Sequence, residues 1–380
     1  MKVIICEYHS WDSITRIGNH HYAQQFIKSG WEVLWISHAV SPFHALKSEN
    51  RSRIARARSG ATKHGENITE IIPLTWLPFF NAPILKSKWT LAHSHRFFMP
   101  PLKAQLIQVG FDKPDLLWIT DTTLHALTEI AQSRALAVRI ADDNPQFRNM
   151  PQSLRWAEEK LCKQADFIFV TSAPLYERLN KFYKSKVHLL RNAVDYEHFQ
   201  GTFERPKEYE SINAPIAIYV GAIEEWFNIE WIRCLASSRK DIAIVLIGKA
   251  SIDLTSLADL PNVLYLGPRA YAQIPAYLSH ASCGIIPFKR TPLVESVSPL
   301  KLFEFLASGL PVVSTRWREL EALGSPAVIV DDERGFAKMV GEAIDSNWKA
   351  ARGGIYKAYA RENSWKARFE SAMDIIKPLL

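Results

Sequence analysis

Cysteine is scarce: four in 380 residues, far apart and with no CxxC pair. That excludes a disulfide framework and a thiolate metal cluster, and Cys6, Cys162, Cys234 and Cys283 read as buried thiols of a cytoplasmic protein. The twelve histidines form no HExxH pair and no Cys/His cluster, so no metal site is expected. Low-complexity tracts and internal repeats are missing. No apolar run is long enough to span a bilayer, since the longest, residues 71–85, is short and interrupted by proline. Residues 1–6 lead straight into a strand pattern, so no signal peptide is expected.

Net charge is missing from the second half. Residues 1–200 hold 25 Lys and Arg against 18 Asp and Glu, whereas the remainder holds 21 of each, so the whole formal charge of +7 lies in the first half. Within it, residues 51–113 carry ten basic and three acidic side chains, interleaved with Trp76, Phe79, Phe80, Trp89, Phe97 and Phe98. No nucleic-acid motif accompanies them. Basic and aromatic residues around a proline-broken apolar segment suit an anionic membrane surface, and a solvated face over a packed aromatic cluster is the plainer alternative.

A chain of this length exceeds what one core usually supports, so two domains are expected. Both halves alternate short apolar strands with helical patterns. In the first, strands at 2–6, 31–37, 115–120, 137–141, 166–171 and 187–190 alternate with helices at 19–28, 124–132, 153–164 and 172–182. Residues 47–70 are polar and basic and read as a mobile loop. Residues 201–213, with Gly201 and Pro206, read as a linker. Beyond it, strands at 216–220, 242–247, 262–266, 283–287 and 311–315 alternate with helices at 229–237, 271–279 and 299–308, and a last helix covers 364–376. The grammar is α/β: two Rossmann-like, doubly wound parallel-sheet domains facing across a cleft, with ligands at strand C-terminal ends.

The most informative stretch is residues 298–315. Ser298 suits a helix N-cap and Pro299 the first helical position, while Gly309 and Pro311 end the helix before a buried strand. Free N–H groups, the helix dipole and Lys301 together would attract phosphate. One turn on, Glu304 could accept two hydrogen bonds from a ribose diol, although a solvated i,i+3 pair is the simpler reading. A carboxylate at a strand C-terminal end can serve as a general base. Asp143 follows strand 137–141 and Asp142 is the runner-up; Asp142-Asp143-Asn144-Pro145 as a plain turn is the alternative.

Several segments in order resemble the GT-B glycosyltransferases. Asn192-Ala193-Val194-Asp195 with Phe199 is similar to the segment closing the N-terminal domain of that family. Tyr219-Val220-Gly221, Asn262-Val263 with Leu266-Gly267, Ile274-Pro275-Ala276-Tyr277-Leu278 and Ile286-Pro287-Phe288 match its C-terminal domain, and residues 298–315 its nucleotide-binding helix. Within the family the pattern resembles the membrane-associated glucuronosyltransferases of bacterial surface-polysaccharide assembly, as in xanthan synthesis. The resemblance implies an acceptor domain at 1–200, a linker at 201–213, a donor domain at 214–360 and a helix at 361–380 returning to the first domain.

It also implies site residues. Glu304 would hold the ribose, and Ser298, Pro299, Leu300 and Lys301 the pyrophosphate, with the Gly221 turn approaching from the other side. Phe288 and Lys289 stand where base and phosphate contacts fall, and Glu225 and Asp121 would face the cleft. Arg16, Asn19 and His21, with Asp121, are the acceptor-side expectation, and Asp143 matches in position the family's base aspartate. No cofactor is implied, only a nucleotide diphosphate sugar, with UDP the expected nucleotide. The expected acceptor is a hydroxyl of a lipid-linked or polysaccharide molecule at the inner membrane face, and nucleic acid is not an expected partner. Two features depart from the retaining members. Ser296 replaces the glutamate eight residues before Glu304, and Glu224-Glu225-Trp226 stand where Arg and Lys are usual. A sugar-nucleotide epimerase and a non-catalytic nucleotide-binding scaffold are the alternative readings.

Overall fold

The computed structural model describes residues 1–380 except Thr15, residues 44–47, Asn81 and residues 144–150, with the backbone alone for 48–50. The chain divides into two units, Met1–Leu190 with Phe369–Leu380, and Arg191–Arg368.

In the first unit the strands are β1 Lys2–Glu7, β2 Glu32–Ser37, β3 Thr62–Gly65, β4 Ile68–Ile71, β5 Leu116–Ile119, β6 Ala135–Ile140, β7 Phe167–Val170 and β8 Val187–Leu189. They form one eight-stranded sheet in the order β3-β4-β2-β1-β5-β6-β7-β8, parallel except at the β3–β4 hairpin. β5, β6 and β7 are buried at every position, so they read as unbroken apolar runs rather than alternating ones. The strand order reverses at β1, which lies between β2 and β5 and opens a crevice at the strand C-terminal ends. The helix Gly18–Lys28 buries Tyr22 and Phe26. Phe26 also meets Phe369 edge-on at 4.9 Å, which anchors the end of the last helix, Trp365–Ile376, in this unit.

In the second unit β9 Ile216–Val220, β10 Ala243–Ile247, β11 Val263–Gly267, β12 Cys283–Ile286, β13 Val312–Thr315 and β14 Val328–Val330 make a six-stranded sheet. It is wholly parallel, in the order β11-β10-β9-β12-β13-β14. Both sheets are therefore of the expected Rossmann-like kind.

Some expectations are corrected. Residues 48–70 are not a loop: Ser48–Ser59 is a helix and β3–β4 a hairpin, while residue 47 lies outside the described residues. The helix is strongly polar and shows no amphipathic period, yet Ile54 and Ala57 pack with Val40, Ile72 and Leu74, and tertiary contact outweighs the pattern. The expected helix at 124–132 shrinks to a 3-10 turn at Thr122–Leu124 and one turn at Leu127–Ile130. The segment after Arg191 belongs to the second unit, because Val194, Tyr196 and Phe199 are part of its core. The helix after Ser298 runs Leu300–Ala307 with Pro299 at its N-cap, and no side chain caps it.

Candidate functional site

In the second unit, β9 ends at a turn that only glycine permits. Gly221 has φ +139°, and its N–H donates to the Ile247 carbonyl at 2.9 Å. This close backbone leaves room for Lys301, whose Cε lies 2.8 Å from where a Gly221 Cβ would stand. The ammonium sits over two rings, 4.4 Å from the centroid of Phe288 and 4.9 Å from that of Tyr219. Such cation–π placement favours the charged amine by about 0.5–2 kcal/mol. Burial works the other way and lowers the Lys301 pKa to about 8, with Glu304 holding it up. Burial likewise raises Glu304 to about 7, with Lys301 opposing. Among the described residues neither side chain forms a hydrogen bond or an ion pair within 4 Å. Their polar ends are uncommitted.

The start of the helix is held open. Asn192 Nδ2 donates to the Ser298 carbonyl at 2.8 Å and Trp317 Nε1 to the Val297 carbonyl at 2.9 Å, which sets the path into the first turn. Ser298 is buried and its Oγ has no partner, so this hydroxyl does not cap the helix. A buried unpaired hydroxyl beside free helix N–H groups is costly unless a ligand uses it.

Phe288 differs from its expected role. Its ring is buried, stacks on Trp317 at 5.6 Å and supports Lys301 from below, so it does not present a face for a base. Lys289 is exposed, and its N–H ties the loop to the Trp226 carbonyl at 2.7 Å. Glu225 is exposed and Leu300 half-buried.

In the first unit the expected residues stand at the strand C-terminal ends but do different things. Asn19 is fully buried: Nδ2 donates to Glu7 Oε2 at 2.6 Å and to Thr120 Oγ1 at 2.7 Å, and Oδ1 accepts from Trp118 Nε1 at 3.2 Å. Every donor is used, so Asn19 braces β1, β5 and the first helix rather than an acceptor. Glu7 is raised to about 7 by burial, with the Tyr8 N–H and Asn19 pulling it down. His21 is buried, and Arg16 donates to the Trp11 carbonyl at 2.8 Å and lies over the Trp11 ring. Asp142 is exposed and Asp143 half-buried. The Asp143 Oδ1 lies 3.6 Å from Arg178 Nε, and burial raises its carboxyl against the pull of Arg178 and Arg155. Asn144 and Pro145 of the alternative turn lie outside the described residues.

His38, the partner of Asp121, went unnoticed in the sequence. His38, the first residue after β2, places Nδ1 2.7 Å from Asp121 Oδ2. Thr123 donates to Asp121 Oδ1 from its N–H at 2.9 Å and its hydroxyl at 2.7 Å. Burial pushes the Asp121 carboxyl up, but His38 and Thr123 outweigh it and leave the group below its ordinary value. No local signal marks the pair, since 83 residues separate its members.

Two Rossmann-like sheets in one chain, the second carrying this helix, define the GT-B architecture. Residues 4–171 match the family model of the glucuronosyltransferase GumK N-terminal domain, and residues 214–346 that of the glycosyl transferases group 1. Each half thus matches a glycosyltransferase model, and the chain is a glycosyltransferase of GT-B fold. A relative, TuaH of Bacillus subtilis (strain 168), named for teichuronic acid biosynthesis, is 28% identical over 237 residues. The match covers 58% of this chain and 59% of that protein. Among solved structures, the trehalose-6-phosphate synthase OtsA superposes with a TM-score of 0.69 at 12% identity over the full length of both chains. HepE of Anabaena, solved in complex with UDP-glucose, gives 0.68 at 15% identity, again over both full lengths.

Proposed function

We propose that the protein transfers a sugar from a nucleotide diphosphate sugar, with UDP as the nucleotide, to a hydroxyl of a lipid-linked or polysaccharide acceptor. The observation that carries this reading is the uncommitted pair on the helix Leu300–Ala307: Lys301 over Phe288 and Tyr219 beside the Gly221 turn, and Glu304 one turn on. Lys301, Ser298 and the helix start would bind the diphosphate and stabilise the charge developing on it as it leaves. Glu304 would accept from the ribose diol. Because lysine and helix dipole supply positive charge at the leaving group, transfer is proposed to need no metal ion. The first unit would hold the acceptor at the crevice beside β1, with Asp143 and Asp142 as its carboxylate contacts. HepE was solved in complex with UDP-glucose and TuaH is named for teichuronic acid biosynthesis, which supports the donor and acceptor classes.

A thermal-shift panel of UDP, GDP, ADP, dTDP and CMP, with and without EDTA, tests the donor site. A ligand that binds only the native state at 100 times its Kd adds about 2.7 kcal/mol, a shift of several degrees. A UDP shift that survives EDTA is expected; no shift with any nucleotide would favour the scaffold reading.

The acceptor's location is proposed from the surface between residues 76 and 103. Trp76, Phe80, Ile84, Trp89, Phe97 and Met99 are exposed there, among the exposed Lys86, Lys88, Arg96 and Lys103. Large apolar side chains in water beside cations suit a peripheral contact with the anionic inner membrane face. In flotation with phosphatidylglycerol-containing vesicles, the double variant Trp76→Ala and Trp89→Ala should lose most of the bound fraction. Added salt should weaken the wild type, and equal binding to neutral vesicles would count against the charge component. No helix among the described residues is long and apolar enough to cross a membrane.

A further inference from the structure

We infer that His38, oriented by Asp121, takes the proton from the acceptor hydroxyl. This rests on the transfer reading above. The two residues reach each other across the C-terminal end of β1, where the strand order reverses and the sheet offers its crevice. Asp121 follows β5 and is buried, with Oδ1 held by both donors of Thr123 and Oδ2 left to face the imidazole. An ionised carboxylate only accepts, so Nδ1 of His38 carries a hydrogen, and in the neutral imidazole Nε2 is the nitrogen with the lone pair. Thr123 Oγ1 stands 3.2 Å from the same Nδ1 and adds to its fixation. The His38 side chain is 18% exposed, enough for a hydroxyl to reach it, and among the described residues Nε2 has no hydrogen bond. Tyr8 packs against the imidazole at 4.7 Å, and Arg53 donates to the His38 carbonyl at 2.9 Å, so the ring is held from the β1 side and its backbone from the helix Ser48–Ser59.

Asp143 is placed less well for this step. Its Oδ1 is enclosed and turned toward Arg178. It also follows β6, three strand spacings from β2, whereas Asp121 follows β5 and reaches His38 directly. In the proposed step Nε2 accepts the proton as the hydroxyl oxygen bonds to the anomeric carbon. The bond from that carbon to the diphosphate oxygen breaks, its electron pair leaves with UDP, and the anomeric configuration inverts. His38 is then the catalytic residue and Asp121 a positioning residue.

The test measures UDP release with water as acceptor, from UDP-glucose, UDP-galactose, UDP-glucuronic acid and UDP-N-acetylglucosamine. It is paired with nitrogen-15 histidine NMR of the same full-length proteins. His38→Gln should lower release by about 100-fold or more while keeping the UDP-induced rise in melting temperature. Asp121→Asn should lower release at least about tenfold, and should move the His38 proton from Nδ1 to Nε2, a change that a merely structural role would not produce. Wild-type release rates in His38→Gln would overturn the inference, as would loss of release in Asp143→Asn with His38→Gln intact; in either case the transfer reading stands. No UDP release and no UDP shift in the wild type would overturn the transfer reading itself.

Discussion

Lys301→Ala should remove most of the thermal shift given by UDP, and Glu304→Ala should also weaken it, while both proteins stay folded. The two side chains stand on one helix, are half-buried and, among the described residues, make no hydrogen bond or ion pair, so the fold does not depend on them. Removing the lysine deletes the one side-chain cation placed over Phe288 and Tyr219 at the Gly221 turn, and leaves a diphosphate to the backbone alone. Charge-assisted bonds of this kind contribute about 1.5–3 kcal/mol each, so affinity should fall at least about tenfold. The pH dependence follows from the same group. Lys301 binds as a cation and its pKa is lowered to about 8, so UDP affinity should decline as pH rises through that value. A UDP titration by calorimetry between pH 6 and 9 reads this directly, and a flat profile would remove Lys301 from the phosphate site.

Glu304 adds a second, opposite signature. Its carboxyl is raised to about 7 by burial, so the folded protein binds a proton there more tightly than the unfolded chain does. Stability from this group is therefore present at low pH and is lost as pH rises from the unfolded value toward 7. Glu304→Gln removes the ionisation, so it should raise the melting temperature of the ligand-free protein above pH 7 while weakening UDP. A residue that costs stability and contributes binding is one kept for a ligand. If the variant is no more stable at pH 8 than the wild type, the burial of this carboxylate carries no such cost.

These two residues were legible in the sequence because their relation is local. Lysine, glutamate and the helix that presents them fall within nine residues of Ser298, and helical spacing alone puts them on one face. Parallel strands were legible for a similar reason, since a strand buried on both faces is an unbroken apolar run. The helix Ser48–Ser59 was not, because only Ile54 and Ala57 of it enter a core. Nor was the pairing of His38 with Asp121, which depends on β1 being inserted between β2 and β5. Asn19 misled for the same reason: its neighbours in sequence suggest a ligand contact, whereas Glu7, Thr120 and Trp118 arrive from other strands and use up its amide. Phe288 lies against Lys301, but the direction of its ring is set by Trp317 and Lys301.

The largest structural effect should come from Gly248→Ala, a change that touches no proposed ligand group. Gly248 follows β10 with φ +144°, a region that side chains other than glycine avoid. An added Cβ would stand 1.9 Å from the Gly221 carbonyl oxygen and 2.6 Å from its carbon. Both are backbone, so no rotamer relieves the overlap and one of the two turns must move. Gly221 is the turn against which Lys301 lies, hence displacement there shifts the lysine off its rings. The variant should lose at least about 2–3 kcal/mol of stability, combining the strained φ with the forced backbone shift. It should also lose the UDP shift even at temperatures where it remains folded. Gly221→Ala offers the contrast. Its Cβ would meet the Lys301 Cε at 2.8 Å and Nζ at 3.0 Å, the far end of a flexible side chain, so the contact could be relieved by moving the amine. Its φ of +139° still costs stability, but UDP binding should suffer more than folding. Denaturant unfolding and UDP titration on the two variants separate these outcomes. A Gly248→Ala protein that binds UDP normally would show that the two turns move independently, and that the close approach of β9 and β10 does not set the donor site.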